Sequence, residues 1–368
     1  MENILCLQPF RRHPDETYQP GRERRLQAAA NNRRRRQPQN AVFLPTGGLR
    51  KPLFFIPRRC LGTAIADSPN DVLFALLWRM NRNLSRKLRA LLALGRVPYL
   101  PTIWSNCLAG WWLGGGSNYG KLPLMFLGAS ALCAGGMYLN DAFDADVDRH
   151  RHPERPIPSG AISLAAVWRW GWAWLALGML CLTILGNTAG TVAVVLSVCI
   201  VVHGAAHKAF SATPWLAGIC RLWVYMIAGS VGAAGLNGWP IWCGLALALY
   251  AGGVGCLARQ DTIRGRIPYW PLVWLAAPIV LAAFMNAGAS RMPGVWLSLV
   301  LALWVIYCAR TVFPSAETNI SRTVSGLLAG IVFVDWLAVA PDCPHWLSLV
   351  FLVLFGTTLG LQRFVAAS

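Results

Sequence analysis

The chain has 368 residues, of which 55% are hydrophobic and only 13% are charged, and its formal net charge is +18. With a mean hydropathy of +0.46, this composition is typical of polytopic membrane proteins and argues against a soluble globular domain. The positive charge is concentrated at the beginning, because residues 1–96 hold 19 Lys and Arg against 6 Asp and Glu, a net charge of +13.

Residues 1–95 are predicted to be a basic, disordered N-terminal extension. The Arg-rich stretch GRERRLQAAANNRRRRQPQN contains nothing that would form a core. An organelle transit peptide is less favoured, because the segment contains acids and little serine. Translation from Met80 instead of Met1 is an open alternative. Basic runs beside a membrane span more often meet anionic lipid than nucleic acid, so we expect membrane lipid, and no nucleic acid, as a partner. No protein partner can be inferred.

From residue 96 to residue 365 the chain is predicted to be an all-α bundle of about nine to ten transmembrane helices. Apolar runs of about 17 to 25 residues, the length that crosses a bilayer as a helix, occur near 98–116, 122–140, 162–185, 188–206, 214–236, 240–258, 270–288, 295–313, 322–340 and 345–361. Most arginines between these runs fall on the side of the N terminus. The positive-inside rule makes that side cytoplasmic. We expect a bacterial inner membrane, with an organelle membrane as the alternative.

The first predicted span carries a polar residue, Asn106, near its middle. A polar side chain is costly in lipid, so Asn106 is expected to face the interior of the bundle. A contact between helices is one explanation of this position.

The second predicted span leads into the polar stretch NDAFDADVDRHRHPERPIPSG, residues 140–160. If the helix continues through this stretch, Asp141, Asp144 and Asp148 lie within an arc of roughly 60°, whereas Asp146 points to the other side. Three carboxylates on one face repel one another unless a cation lies among them, and oxygen ligands suit Mg²⁺. A solvated acidic helix end is the alternative. The basic residues that follow, including Arg155, favour the metal site.

The pattern N-D-x-x-D-x-x-x-D followed by R-P-I-P-S-G, here Asn140 to Asp148 and Arg155 to Gly160, resembles the first aspartate-rich motif of the UbiA family of intramembrane prenyltransferases. This family includes 4-hydroxybenzoate polyprenyltransferase-like enzymes. The resemblance extends over most of residues 96–365. It implies a helical bundle in which aspartates hold Mg²⁺ on the diphosphate of an isoprenyl donor. The diphosphate then leaves, and a hydrophobic, often aromatic, acceptor attacks the allylic carbocation. By this resemblance Asn106 and Asn140 contact the diphosphate.

The second aspartate motif of the family, commonly D-x-x-x-D, departs from its pattern in this chain. The corresponding loop reads LARQDTIRGRIPYWP, in which Asp261 is present but Gly265 stands where a second acid is expected. Arg264 or Arg266 could neutralise phosphate oxygens instead, because a guanidinium forms forked bonds to phosphate. The A-R-Q-acid form resembles a divergent branch of the family, often labelled EboC. With Gly265 in place of a second acid, the sequence does not decide between one bound metal ion and two.

Two further polar features lie inside or at the end of predicted spans. Lys208 follows the fourth span and is a candidate for phosphate contact. Arg221 and Asp335 are intramembrane charges, and such charges are expensive unless they are paired or face a wet cavity. Arg221 and Asp335 could pair with each other. This is a hypothesis, because the sequence alone gives no geometric support for it.

The leading interpretation is a Mg²⁺-dependent prenyltransferase with catalytic residues Asp141, Asp144, Asp148 and Asp261. The first three would hold the metal, and Asn106, Asn140, Arg155, Lys208, Arg264 and Arg266 would bind the diphosphate. The alternative is a non-catalytic relative that binds or carries a lipid or a prenylated metabolite, as Gly265 suggests. An ion-coupled transporter is disfavoured, because the carboxylates lie at one membrane edge and no inverted repeat is visible.

Overall fold

The computed structural model describes residues 90–206, 213–259, 270–285, 291–310 and 320–364. In these ranges the regular secondary structure is helical. The α-helices, numbered in chain order, are α1 (Leu100–Leu113), α2 (Leu122–Arg151), α3 (Leu164–Leu185), α4 (Asn187–Ala206), α5 (Thr213–Val231), α6 (Gly238–Arg259), α7 (Trp270–Trp274), α8 (Ala277–Met285), α9 (Arg291–Ala309), α10 (Ile320–Ala329), α11 (Ile331–Val339) and α12 (His345–Phe364). The N-terminal extension predicted for residues 1–95 lies almost entirely outside the described ranges.

Eight helical segments of the described chain are long and apolar enough to cross a membrane. They are Tyr119–Arg151, Leu164–Leu185, Asn187–Ala205, Thr213–Val231, Gly238–Arg259, Met292–Ala309, Ile320–Asp342 and His345–Arg363. The predicted all-α, multi-pass membrane fold is thus confirmed. The two other predicted spans correspond to shorter elements, namely the 14-residue helix α1 and the helix pair α7 and α8.

Helix α2 is longer than the apolar run that predicts it. The run ends near residue 140, but the helix has 30 residues and continues to Arg151. Pro123 stands in its first turn, where a missing N–H costs no helical hydrogen bond. The aspartate-rich stretch therefore belongs to the last turns of a membrane helix, as the continued-helix hypothesis requires.

Helices α1 and α5 approach each other closely through glycines. A Cβ added at Gly110 would lie 2.9 Å from the carbonyl oxygen of Tyr225, and one added at Gly114 would overlap the backbone of Gly229. Small residues four positions apart allow membrane helices to pack backbone against backbone. This contact brings the polar side chains of α1 and α5 within hydrogen-bonding distance. Helix α11 also packs against α1, so three helices meet around the same polar residues.

Candidate active site

The aspartates of α2 divide as the helical spacing predicts. Asp144 and Asp148 are buried, with 8% and 5% of their surface exposed. The side chain of Asp141 is 15% exposed. By contrast, the side chain of Asp146 is 87% exposed and forms only a surface ion pair with Arg149, with 3.5 Å between nitrogen and oxygen. Three carboxylates therefore share the inward face of α2, and Asp146 lies outside the group.

Arg155 binds the last of these three carboxylates. Its Nη1 atom donates to Oδ1 of Asp148 at 2.9 Å and to Oδ2 at 2.8 Å. Both side chains are largely shielded from solvent, with exposed fractions of 22% and 7%. A charge-assisted contact in such surroundings is stronger than one on an open surface. Arg155 is therefore fixed beside the aspartates, where a phosphate contact is expected.

Arg96 lies at the other end of the aspartate group. Its Nη2 atom is 3.7 Å from Oδ1 of Asp141. Among the non-glycine residues of the described ranges, Arg96 alone has a positive φ, of 42°. This left-handed backbone conformation turns the chain between the helical residues 90–94 and the short 3₁₀-helix Val97–Tyr99. The aspartate face thus carries a guanidinium at each end.

One small apolar cluster positions both arginines. Its buried members are Leu94, Tyr138, Ala142 and Val167. Ile157 and Ile162, which flank the P-S-G turn after Arg155, also pack against it. The turn closes with a hydrogen bond from the Gly160 amide to the carbonyl of Ile157, and Gly160 has φ of 73°, a conformation that suits glycine.

The same cluster anchors the segment before Arg96. The hydroxyl of Tyr138 donates to the carbonyl oxygen of Leu91 at 3.1 Å, and Leu94 is buried against Tyr138. The R-P-I-P-S-G motif and the segment before α1 are thus held on one patch of α2. Burial of apolar side chains outside the polar site therefore fixes the charges within it.

The three aspartates fit a magnesium ion that shares its coordination with a substrate. In the described part of the chain, no group of three or more His, Cys, Asp or Glu side chains converges closely enough to hold a metal by itself. Mg²⁺ commonly uses one or two carboxylates together with waters and substrate phosphates. Asp141, Asp144 and Asp148 are the residues that could supply oxygen ligands for such a site. Asn140 extends the polar face, because its Nδ2 lies 3.5 Å from Oδ2 of Asp144.

A second polar group lies inside the bundle, between α1, α5 and α11. Asn106 is fully buried and uses both ends of its carboxamide. Its Oδ1 accepts from Nη1 of Arg221 at 2.7 Å, and its Nδ2 donates to Oδ2 of Asp335 at 2.7 Å. Arg221 and Asp335 do belong to one network, but the described contacts join them through Asn106. These contacts are those of a helix-to-helix link, and the expected role of Asn106 toward diphosphate stays a prediction.

The remaining contacts complete this network. Nη2 of Arg221 donates to the hydroxyl of Thr102 at 3.1 Å. Asp335 also accepts from the hydroxyls of Tyr225, at 2.6 Å, and of Ser105. A buried carboxylate is tolerated when several donors surround it. Asp335 is therefore satisfied by neighbours within the bundle.

Four predicted site residues lie outside the described ranges. They are Lys208, Asp261, Arg264 and Arg266. The structure brings together Asn140, Asp141, Asp144, Asp148 and Arg155, and it places Asn106 in the separate network of α1, α5 and α11.

Arg96 was not predicted to be a site residue from the sequence. Arg96 lies among the many arginines of the basic N-terminal region, and nothing in the neighbouring sequence distinguishes it from them. Arg221 and Asp335 did stand out, because both are charges within predicted spans. The sequence did not show that Arg221 and Asp335 share a hydrogen-bond partner, and in the structure that partner is Asn106.

Comparisons with known proteins give one family. Residues 99–316 match the UbiA prenyltransferase family. A digeranylgeranylglyceryl phosphate synthase from Methanopyrus kandleri is 26% identical over 211 residues, covering 46% of this chain and 76% of that protein. One from Ignicoccus hospitalis is 37% identical over 109 residues, covering 30% of this chain and 36% of that protein. The chain thus spans little more than a third of the Ignicoccus protein.

Solved structures are similar at low identity. A digeranylgeranylglyceryl phosphate synthase aligns with a TM-score of 0.46 and 18% identity, covering 74% of this chain and 99% of that one. A UbiA homologue from Archaeoglobus fulgidus bound to GPP and Mg²⁺ aligns with a TM-score of 0.40 and 14% identity, again over 74% and 99% of the two chains.

Proposed function

Because the chain belongs to the UbiA prenyltransferase family, we propose that it is a Mg²⁺-dependent intramembrane prenyltransferase. It would move an isoprenyl group from a prenyl diphosphate to a hydrophobic acceptor, either aromatic or lipid-like. The observation that carries this proposal is the inward face of α2, where Asp141, Asp144 and Asp148 lie between the guanidiniums of Arg96 and Arg155. Carboxylates flanked by guanidiniums suit a ligand that brings both phosphate and a divalent cation.

The side chains at the end of α2 would divide into metal ligands and phosphate-binding groups. Asp141, Asp144 and Asp148 would hold Mg²⁺, which when bound supplies positive charge against the departing diphosphate. Arg155 and Arg96 would bind phosphate oxygens, and they stabilise the leaving group more as its negative charge grows. Asp148 orients Arg155 through two hydrogen bonds. A group that is already oriented loses little freedom when the substrate arrives.

We propose that the second motif completes the diphosphate site. Asp261 would be its acid, and Arg264, Arg266 and Lys208 would add positive charge where Gly265 replaces a second carboxylate. Asn140 and Asn106 would contact the diphosphate from α2 and α1. These assignments rest on the match of the sequence to the family motifs and on the charge that a diphosphate needs around it.

The aspartate end of the bundle is proposed to face the cytoplasm. The described arginines at helix ends on this side are Arg149, Arg151, Arg155, Arg259, Arg310, Arg322 and Arg363. When α7 with α8, and α10 with α11, are each counted as one span, successive spans would alternate in direction. These residues would then share one side of the membrane, and Lys121 and Arg291 would lie on the other. Cytoplasmic loops of membrane proteins carry such an excess of Lys and Arg. A bacterial inner membrane is the proposed location.

The test is an assay of the purified protein with radiolabelled prenyl diphosphates of several chain lengths, with and without Mg²⁺. Aromatic acceptors and glycerol-based lipid acceptors are supplied in parallel. The expected result is a prenylated product that disappears when EDTA is added and returns with Mg²⁺. Tight, Mg²⁺-dependent binding of diphosphate without product across these acceptors would instead support the carrier function suggested by Gly265.

A further inference from the structure

We propose that Arg221 binds a phosphate group of a substrate from inside the bundle, with Asp335 as the residue that positions it through Asn106. This inference deepens the proposed function and rests on it, because it adds a cation to the same binding site. Arg221 has hydrogen-bond donors left over, and it lies at about the same depth in the bundle as the aspartates of α2.

The contacts of Arg221 leave much of its binding capacity unused. A guanidinium has five N–H donors. Two of its nitrogens donate to neutral acceptors, Asn106 Oδ1 and Thr102 Oγ1. Over the ranges that the structure describes, no carboxylate lies within ion-pair distance of Arg221. An arginine in a membrane bundle is expensive, and one that has spare donors and no paired acid is a candidate for binding an anion.

The acidic residue of this network, Asp335, does not contact Arg221 directly. Asp335 is fully buried and receives hydrogen bonds from Ser105, Asn106 and Tyr225. Asn106 stands between the acid and the arginine, so the carboxylate orients Arg221 without occupying its donors. This arrangement keeps the guanidinium fixed and available.

Arg221 lies at about the same depth in the bundle as the aspartates. It follows Thr213, the first residue of α5, by eight residues, or about 12 Å along the helix, and Asp144 precedes the last residue of α2, Arg151, by seven residues, or about 10 Å. Two membrane-crossing helices, α3 and α4, lie between α2 and α5, so α5 begins on the side at which α2 ends. Helix α4 packs against both α2 and α5.

Side-chain exposure supports this placement. Thr102 and Asn106 are fully buried, whereas Arg221 is partly exposed. The arginine is therefore covered on the side of its two partners and open on another.

The phosphate could belong to either substrate. The diphosphate of the donor would reach Arg221 if it extends inward from Asp141. A monophosphate ester on a glycerol-type acceptor would reach it if the acceptor binds deeper in the bundle. Both present the same phosphate oxygens to a guanidinium, and binding experiments with the two head groups separate them.

The experiment measures binding, not turnover. Titration calorimetry of the detergent-solubilised full chain is performed with inorganic diphosphate and, separately, with glycerol phosphate, each with and without Mg²⁺. The Arg221→Gln variant is expected to bind one of the two ligands about 10- to 100-fold more weakly, also without Mg²⁺, because a charge-assisted contact is lost. Arg169→Gln, an exposed arginine on α3, is the matched control and should bind both ligands as the wild type does.

The positioning role of Asp335 has its own readout. Asp335→Asn should weaken binding of the same ligand by a smaller factor, and the double variant with Arg221→Gln should be no weaker than Arg221→Gln alone. Such non-additivity is expected when one residue acts through another. Thr102→Val, which removes one support of the guanidinium, serves if Asp335→Asn does not fold.

Unchanged affinity of Arg221→Gln for both ligands, with a thermal unfolding midpoint like that of the wild type, would overturn the inference. If Arg221→Gln does not fold, Arg221→Lys replaces it. Lysine keeps the charge but cannot hold the forked geometry, so intermediate binding is expected. A wild-type protein that transfers no prenyl group would contradict the proposed function, and the two binding titrations would still decide the role of Arg221.

Discussion

One nitrogen of Arg155, Nη1, contacts both carboxylate oxygens of Asp148, at 2.9 and 2.8 Å. This contact spans the end of α2 and the turn that follows it. It joins a predicted metal ligand to a predicted phosphate ligand before any substrate is bound. Substrate binding at this site is therefore expected to depend on the arginine as well as on the acids.

Replacing Arg155 by glutamine is expected to raise the KM for the prenyl diphosphate on the order of 10- to 100-fold, because one charge-assisted contact to phosphate is lost. Steady-state kinetics with varied donor concentration measure this change. Arg151→Gln is the control, since Arg151 is exposed at the end of the same helix. Equal KM values for the two variants would contradict the assigned role of Arg155.

Replacing Asp144 by alanine is expected to lower kcat/KM on the order of 100-fold or more, as is typical when a group that stabilises the transition-state charge is removed. Asp146→Ala provides the comparison, because Asp146 lies on the same helix but is exposed. Its activity should stay within about twofold of the wild type. Full activity of Asp144→Ala would remove this residue from the metal site.

The close contact of α1 with α5 predicts a stability effect that is separate from catalysis. A methyl group at position 114 would overlap the backbone of Gly229, so Gly114→Ala should destabilise the bundle by about 1 to 3 kcal/mol. Thermal unfolding in detergent, followed by tryptophan fluorescence, measures the shift. Gly356→Ala on α12 meets no atom within 4 Å and should leave the unfolding midpoint unchanged or slightly higher.

The hydroxyl of Tyr225 contributes one of the donors to buried Asp335. Tyr225→Phe should therefore lower the free energy of unfolding by about 1 to 3 kcal/mol, because a buried acceptor loses a partner. The same unfolding assay applies. Tyr307→Phe is a suitable control, since Tyr307 is 47% exposed and the loss of its hydroxyl should cost less than about 0.5 kcal/mol.

Local properties of the chain were sufficient to predict the fold class and the acidic face. Hydropathy identified most of the membrane helices, since a helix needs about 20 mostly apolar residues to cross the hydrocarbon core of a bilayer. Helical spacing separated Asp141, Asp144 and Asp148 from Asp146, because side-chain direction repeats every 3.6 residues. Both signals lie within single helices, and the structure agrees with both.

Tertiary structure alone decided which charges meet. Arg96 reaches Asp141 because Leu94 and the helical residues before it pack on Tyr138. Asn106 links Arg221 to Asp335, which are more than a hundred residues apart in the chain, because glycines let α1 approach α5 and α11 packs on α1. Contacts between helices depend on the shapes of both packed surfaces, and no single helix contains that information.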